Sequence, residues 1–259
     1  MNSRWWRCTS LTVALFVVGC TPLATADPST LGCGDAEGVV EFAARDGTKL
    51  IADLLPASST GQPAVALFHM APPSNDRTGF PPRVRGALGA TGVTVLNLDR
   101  RGAGSSDGSA SEAAGSGALL DAEGAVRFLL EGGLGCPVDR DRMVLIGASN
   151  GTTATWDYAA GSDADLPTPA SMVWMSPGSY TENQTAIADH RDVIDAIPLL
   201  WLYPTDEPWP EDFVVGAPER WRFVQDGGAH GTRMFDGGEL EESTLAALTT
   251  WVDDVVTAP

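Results

Sequence analysis

The chain has 259 residues, 43% of them hydrophobic, and a formal net charge of −18. That length and apolar content suffice for one fairly large domain with a substantial core. The negative charge argues against a nucleic-acid partner, whose phosphates it would repel, and suits a highly soluble or extracytoplasmic protein.

Arg4 and Arg7 precede the apolar run Leu11–Val18, which is too short to span a bilayer, so residues 1–19 read as a secretory signal. The run ends in Val17-Val-Gly-Cys20, which resembles a bacterial lipobox. Cleavage before Cys20 would leave it as a lipid-modified N-terminus, with residues 20–36 as a tether and the membrane as a partner. Ala24-Thr-Ala26 is a competing cleavage site that would release a soluble protein. Either route exports the chain. In an oxidising compartment Cys33 and Cys136 remain as a pair and are expected to be disulfide-bonded, the alternative being two separate buried thiols. Closing a loop of about 100 residues would contribute up to about 4–5 kcal/mol.

The fold is expected to occupy residues 37–259. Val39–Ala43 and Leu50–Leu55 flank Asp46-Gly47, a hairpin signal, so two antiparallel strands come first. Ala64–Phe68 is a short apolar strand ending at His69. A helix over Arg83–Thr91 then leads to the buried strand Val93–Leu98. From here strands alternate with helices, which implies a mostly parallel sheet covered on both faces. Helical spacing of apolar residues runs from Leu119 to Glu131, and Val144–Ile146 is the central strand. Ala170–Met175 and Leu199–Tyr203 follow as strands, with a helix expected over Thr185–Ala196 between them. Arg222–Gln225 is the last strand and Leu240–Val256 a closing amphipathic helix. Only some twenty residues separate the strands ending at Met175 and starting near Pro198, too few for a large cap. An open pocket is therefore expected, with Trp209, Trp174 and Tyr180 as candidates for lining it.

The central strand runs into Gly147-Ala-Ser-Asn-Gly151, with a helix expected over Thr152–Ala160. With 29 glycines in the chain, chance alone gives about 0.2 copies of G-x-S-x-G, so context decides. A tight strand-to-helix turn crowds the positions two before and two after the serine, which glycine tolerates, and presents the Ser149 hydroxyl beside the helix N-terminus. A second copy, Gly104-Ser-Ser-Asp-Gly108, lacks the strand before it and leads into a loop-like stretch, so it reads as a decoy. The turn Asp99-Arg-Arg-Gly-Ala-Gly-Ser-Ser-Asp107 lacks the lysine and helix of a phosphate cradle. There is no HExxH, no metal-ligand spacing and no cofactor motif.

A serine needs a base to become a nucleophile, most often a histidine oriented by a carboxylate. Of three histidines, His230 follows the last strand and shares the C-terminal edge of the sheet with Ser149, whereas His190 reads as an exposed helical residue. Asp206 and Glu207, after Tyr203, reach the same edge. This order of serine, acid and histidine, the GASNG turn, the DRRGAGSSD segment and the His69-Met70 strand end together resemble the α/β-hydrolase family over essentially residues 37–257. The resemblance implies Ser149 as nucleophile, His230 as general base and then acid, and Asp206 as the orienting acid, with Glu207 as the alternative. It implies an oxyanion hole from the N–H groups of Met70 (or Ala71) and Asn150, although Met70 stands where glycine is common and its side chain is expected to narrow the pocket. The implied reaction is hydrolysis of a small-molecule carboxylic ester through an acyl-serine. A peptidase or amidase, an acyltransferase, or an inactive binding module on the same fold are the other readings.

Overall fold

The computed structural model describes residues 33, 37–207, 216–225, 229–236 and 239–258. The expected signal, Cys20, most of the tether and Trp209 lie outside them. Strands β1 (Gly38–Ala43) and β2 (Lys49–Leu55) form the expected hairpin. They are followed by β3 (Ala64–Phe68), α1 (Pro82–Gly89), β4 (Thr94–Asp99), α2 (Ala110–Ala113), α3 (Gly117–Leu130) and β5 (Met143–Ala148). The second half contains α4 (Gly151–Gly161), β6 (Ser171–Met175), α5 (Arg191–Ala196), β7 (Leu199–Tyr203), β8 (Trp221–Gln225) and α6 (Glu239–Thr257).

One eight-stranded sheet runs in the order β1-β2-β4-β3-β5-β6-β7-β8. The pairings β1–β2 and β2–β4 are antiparallel and all others parallel. The period-2 alternation of side chains sorts the core into layers. Ala64, Ala66 and Phe68 of β3 face Ala122, Val126 and Leu129 of α3 and Ala154 and Tyr158 of α4. Val65 and Leu67 face the other way, towards Val84 and Leu88 of α1 and Leu248, Trp251 and Val252 of α6. A third cluster, with Trp156, Trp174, Trp201 and Trp221, closes the β6–β8 end over α5. Trp174 is therefore core rather than pocket lining. Cys33 and Cys136 form a disulfide with their Cα atoms 5.4 Å apart. Among the described residues no helix is long and apolar enough to cross a membrane.

Two segments differ from expectation. The helix expected over Thr185–Ala196 forms only from Arg191, after the single 3-10 turns Ser179–Glu182 and Ile187–His190. Backbone groups there find partners other than their own helix: Thr153 Oγ1 donates to the Tyr180 carbonyl, Trp156 Nε1 to that of Thr185, and the Ile187 N–H to Glu182 Oε1. The stretch after Gly108, read as loop, contains α2, started by a capping box between Ser109 and Glu112.

Candidate active site

The parallel strands end on one edge, and the site is assembled there from the turns after β3, β5, β6, β7 and β8. The nucleophile turn follows β5. Ser149 has φ +50°, one of two non-glycine residues with positive φ among those described, and its N–H donates to the Met175 carbonyl at 2.7 Å. The glycines follow from close approach. A Cβ on Gly147 would sit 2.6 Å from the Gly151 carbonyl oxygen, and one on Gly151 would sit 2.1 Å from the Phe68 oxygen and 2.7 Å from that of His69. Backbone cannot retreat like a flexible side chain, so both positions exclude larger residues. Ser149 is 8% exposed.

His230 Nε2 lies 2.6 Å from Ser149 Oγ. Its Nδ1 lies 2.5 Å from Glu207 Oε1. The carboxylate at the histidine is thus Glu207, and the assignment of Asp206 is corrected. Pro204–Glu207 is a turn closed by the Glu207 N–H on the Pro204 carbonyl. It leaves Asp206 exposed and Glu207 partly buried against the imidazole. With Nδ1–H donating to the carboxylate, Nε2 is the acceptor towards the serine hydroxyl.

No family model matches this chain, and no curated protein matches it in sequence. Solved structures do. An esterase from Pyrococcus furiosus superposes with a TM-score of 0.65 at 15% identity, covering 86% of this chain and 94% of that one. The α/β hydrolase GrgF of a Penicillium species gives 0.60 at 17% identity, over 86% of this chain and 99% of that one. An esterase from Exiguobacterium antarcticum gives 0.57 at 16% identity, over 82% and 98% respectively. The chain has the α/β-hydrolase fold.

Within the α/β-hydrolase sheet, the turn after β3 meets the nucleophile turn from the other side. Among the described residues the Met70 and Asn150 N–H groups donate no backbone hydrogen bond, a condition that an oxyanion hole requires. The Met70 side chain, 5% exposed, is buried against Gly231, where a Cβ would meet its sulfur at 2.6 Å. His69 is wholly buried and both ring nitrogens are engaged. Its Nδ1–H donates to the Met70 carbonyl at 2.7 Å, and Nε2 accepts the Arg100 N–H at 2.9 Å. Burial, with the Arg100 charge behind it, holds its pKa down at about 3, so it stays neutral and tethers the β3 and β4 ends.

The Asp99–Asp107 segment is structural. Asp99 accepts the N–H groups of Arg77 and Ser105, and Arg101 pairs with buried Asp121 and with Asp46. Arg100 is fully buried and donates to Asn150 Oδ1 at 3.0 Å, to the Ala113 carbonyl at 2.8 Å and to the His69 carbonyl at 3.3 Å. One guanidinium thereby joins the turn after β3, the nucleophile turn and α2. Burial pushes its pKa down to about 10, still charged at neutral pH. The sequence singled out this segment as a motif without showing that Arg100 braces Asn150. Tyr180, a candidate for lining the pocket, lies beside the site: its hydroxyl donates to the carbonyl of Ser176, whose Oγ accepts the N–H of Gly231, next to His230. Among the described residues no cluster of His, Cys, Asp or Glu is arranged to hold a metal ion.

Proposed function

We propose that the chain is an exported serine hydrolase that cleaves small carboxylic esters through an acyl-serine intermediate. The observation that carries this reading is the continuous relay from Ser149 Oγ through both nitrogens of His230 to Glu207 Oε1. In the proposed cycle Ser149 Oγ attacks the ester carbonyl as its proton passes to His230 Nε2. The Met70 and Asn150 N–H groups stabilise the oxyanion. Collapse breaks the ester C–O bond, and the leaving alkoxide takes the proton from Nε2. Water, deprotonated by the same nitrogen, then attacks the acyl-serine and releases the acid and Ser149. Glu207 fixes the Nδ1–H tautomer and stabilises the imidazolium without becoming protonated. The esterases among the structural neighbours support ester over amide chemistry. Export rests on the N-terminal signal, and attachment to the membrane on Cys20 as the lipidated residue, with cleavage after Ala26 as the soluble alternative.

A chromogenic p-nitrophenyl ester, quenched within milliseconds and analysed by peptide mass spectrometry, tests the intermediate. One acyl group on the Ser149 peptide, absent from Ser149→Ala, is the expected result. Turnover with the acyl group on another residue, or with none at any time, would overturn the acyl-serine mechanism.

A further inference from the structure

The second non-glycine residue with positive φ is Ser176, directly after β6, at φ +50° and wholly buried. An L-residue is held in this region only when its surroundings fix it there, and such residues cluster where geometry is used. Ser176 touches each part of the candidate triad's support. Its N–H donates to the Leu202 carbonyl at 2.7 Å on β7, the strand that leads to Glu207. Its Oγ accepts the N–H of Gly231, the residue after His230, at 2.8 Å. Its carbonyl accepts the Tyr180 hydroxyl. Its predecessor Met175 accepts the Ser149 N–H.

Tyr180 is itself fixed. Its ring lies so close over Gly178 that a Cβ there would meet it at 2.8 Å, and its carbonyl accepts Thr153 Oγ1 at 2.6 Å from the helix that starts at the nucleophile. The neighbouring Thr181 hydroxyl bonds Thr152 Oγ1 at 2.6 Å. Burial keeps the phenol above its ordinary pKa, with the Ser149 hydroxyl opposing and the Glu207 charge adding to the shift, so Tyr180 remains a donor.

We infer that Ser176, locked by the Tyr180 hydroxyl, is a positioning residue that holds the His230 loop so that the imidazole meets Ser149. The inference rests on the reading of Ser149 and His230 as the reacting pair. Without the Ser176 hydroxyl, the Gly231 N–H loses a buried acceptor, and the histidine backbone loses its one side-chain tie to β6 among the described residues.

Glycine accepts φ +50° without strain, so Ser176→Gly removes the hydroxyl and relaxes the backbone together. The full chain and this variant would be compared for Tm, for the rate of Ser149 labelling by a fluorophosphonate, and for kcat and KM on a p-nitrophenyl ester. The expected result is a Tm within a few degrees of the parent or above it. Labelling rate and kcat fall about 10–100-fold, the value of one buried hydrogen bond beside the base, and KM changes less than about threefold. Tyr180→Phe leaves the backbone untouched and stands in if the glycine variant does not fold. It is expected to lower labelling about 3–10-fold at unchanged KM. Labelling of Ser176→Gly, or of Tyr180→Phe where the glycine variant does not fold, at the parental rate would overturn the inference alone. Failure of the folded parent to label would instead overturn the underlying reading, and this inference with it.

Discussion

Glu207→Gln is expected to lower kcat about 10²–10⁴-fold, whereas Asp206→Asn stays within about threefold of the parent. The argument turns on a proton. Glu207 Oε1 accepts from His230 Nδ1, which forces the neutral ring to present a lone pair at Nε2, 2.6 Å from Ser149 Oγ. A glutamine amide turned to donate at Nδ1 selects the other tautomer, and Nε2 then carries a hydrogen where the serine proton must go. The loss also includes the negative charge that stabilises the imidazolium. Glu207 is about one-third exposed, so water can replace part of its effect, which sets the lower end of the range. Asp206 is exposed to solvent. Steady-state kinetics on one ester decide the matter. Full activity in Glu207→Gln with loss in Asp206→Asn would restore the assignment read from sequence.

Asp157→Asn is expected to stabilise the fold by about 2–3 kcal/mol at pH 7.5 and to have little effect at pH 4. Asp157 lies on α4, two turns from the nucleophile, and is 1% exposed; neither of its oxygens makes a well-formed hydrogen bond among the described residues. Burial raises its pKa from 3.8 to about 6, with the Thr185 hydroxyl and the Arg100 charge offsetting only part of that rise. Between these two values the folded protein binds more protons than the unfolded chain, so stability falls as pH rises through that window and levels off above it. Asparagine mimics the protonated carboxyl and removes the dependence. Urea unfolding at both pH values provides the check. Destabilisation at pH 7.5 would show instead that the Asp157 carboxylate is a necessary counter-charge for buried Arg100.

Those parts of the fold governed by local pattern were legible in the sequence. Short apolar runs marked every strand to within about two residues at either end, because burial on both faces of the central strands, and on alternate residues of β2, is written along the chain itself. Gly147 and Gly151 marked the nucleophile turn because the backbone contacts they permit admit no side chain. The misses depended on partners distant in sequence. Thr185–Ala196 reads as one helix, yet only Arg191–Ala196 forms it. Side chains of Thr153 and Trp156 capture the carbonyls of Tyr180 and Thr185, before and at the start of that stretch, and these partners lie nearly thirty residues away. Asp206 and Glu207 are adjacent, and which one meets His230 is decided by the Pro204–Glu207 turn, a geometry that composition does not specify. The start of α2 was available as Ser109-Ala-Ser-Glu112, a capping-box pattern that the surrounding glycines and serines obscured. Arg100 stood inside a visible motif, but its reach to Asn150 needed the two turns to be placed side by side.

The central claim is that His230 activates Ser149, and the most direct measurement is labelling of the full chain by a fluorophosphonate followed by peptide mapping, with His230→Ala in parallel. Labelling is predicted on Ser149 and no other serine, slowed by at least about 10³-fold in the histidine variant. Equal labelling of the two proteins, or none of the folded parent, would contradict it.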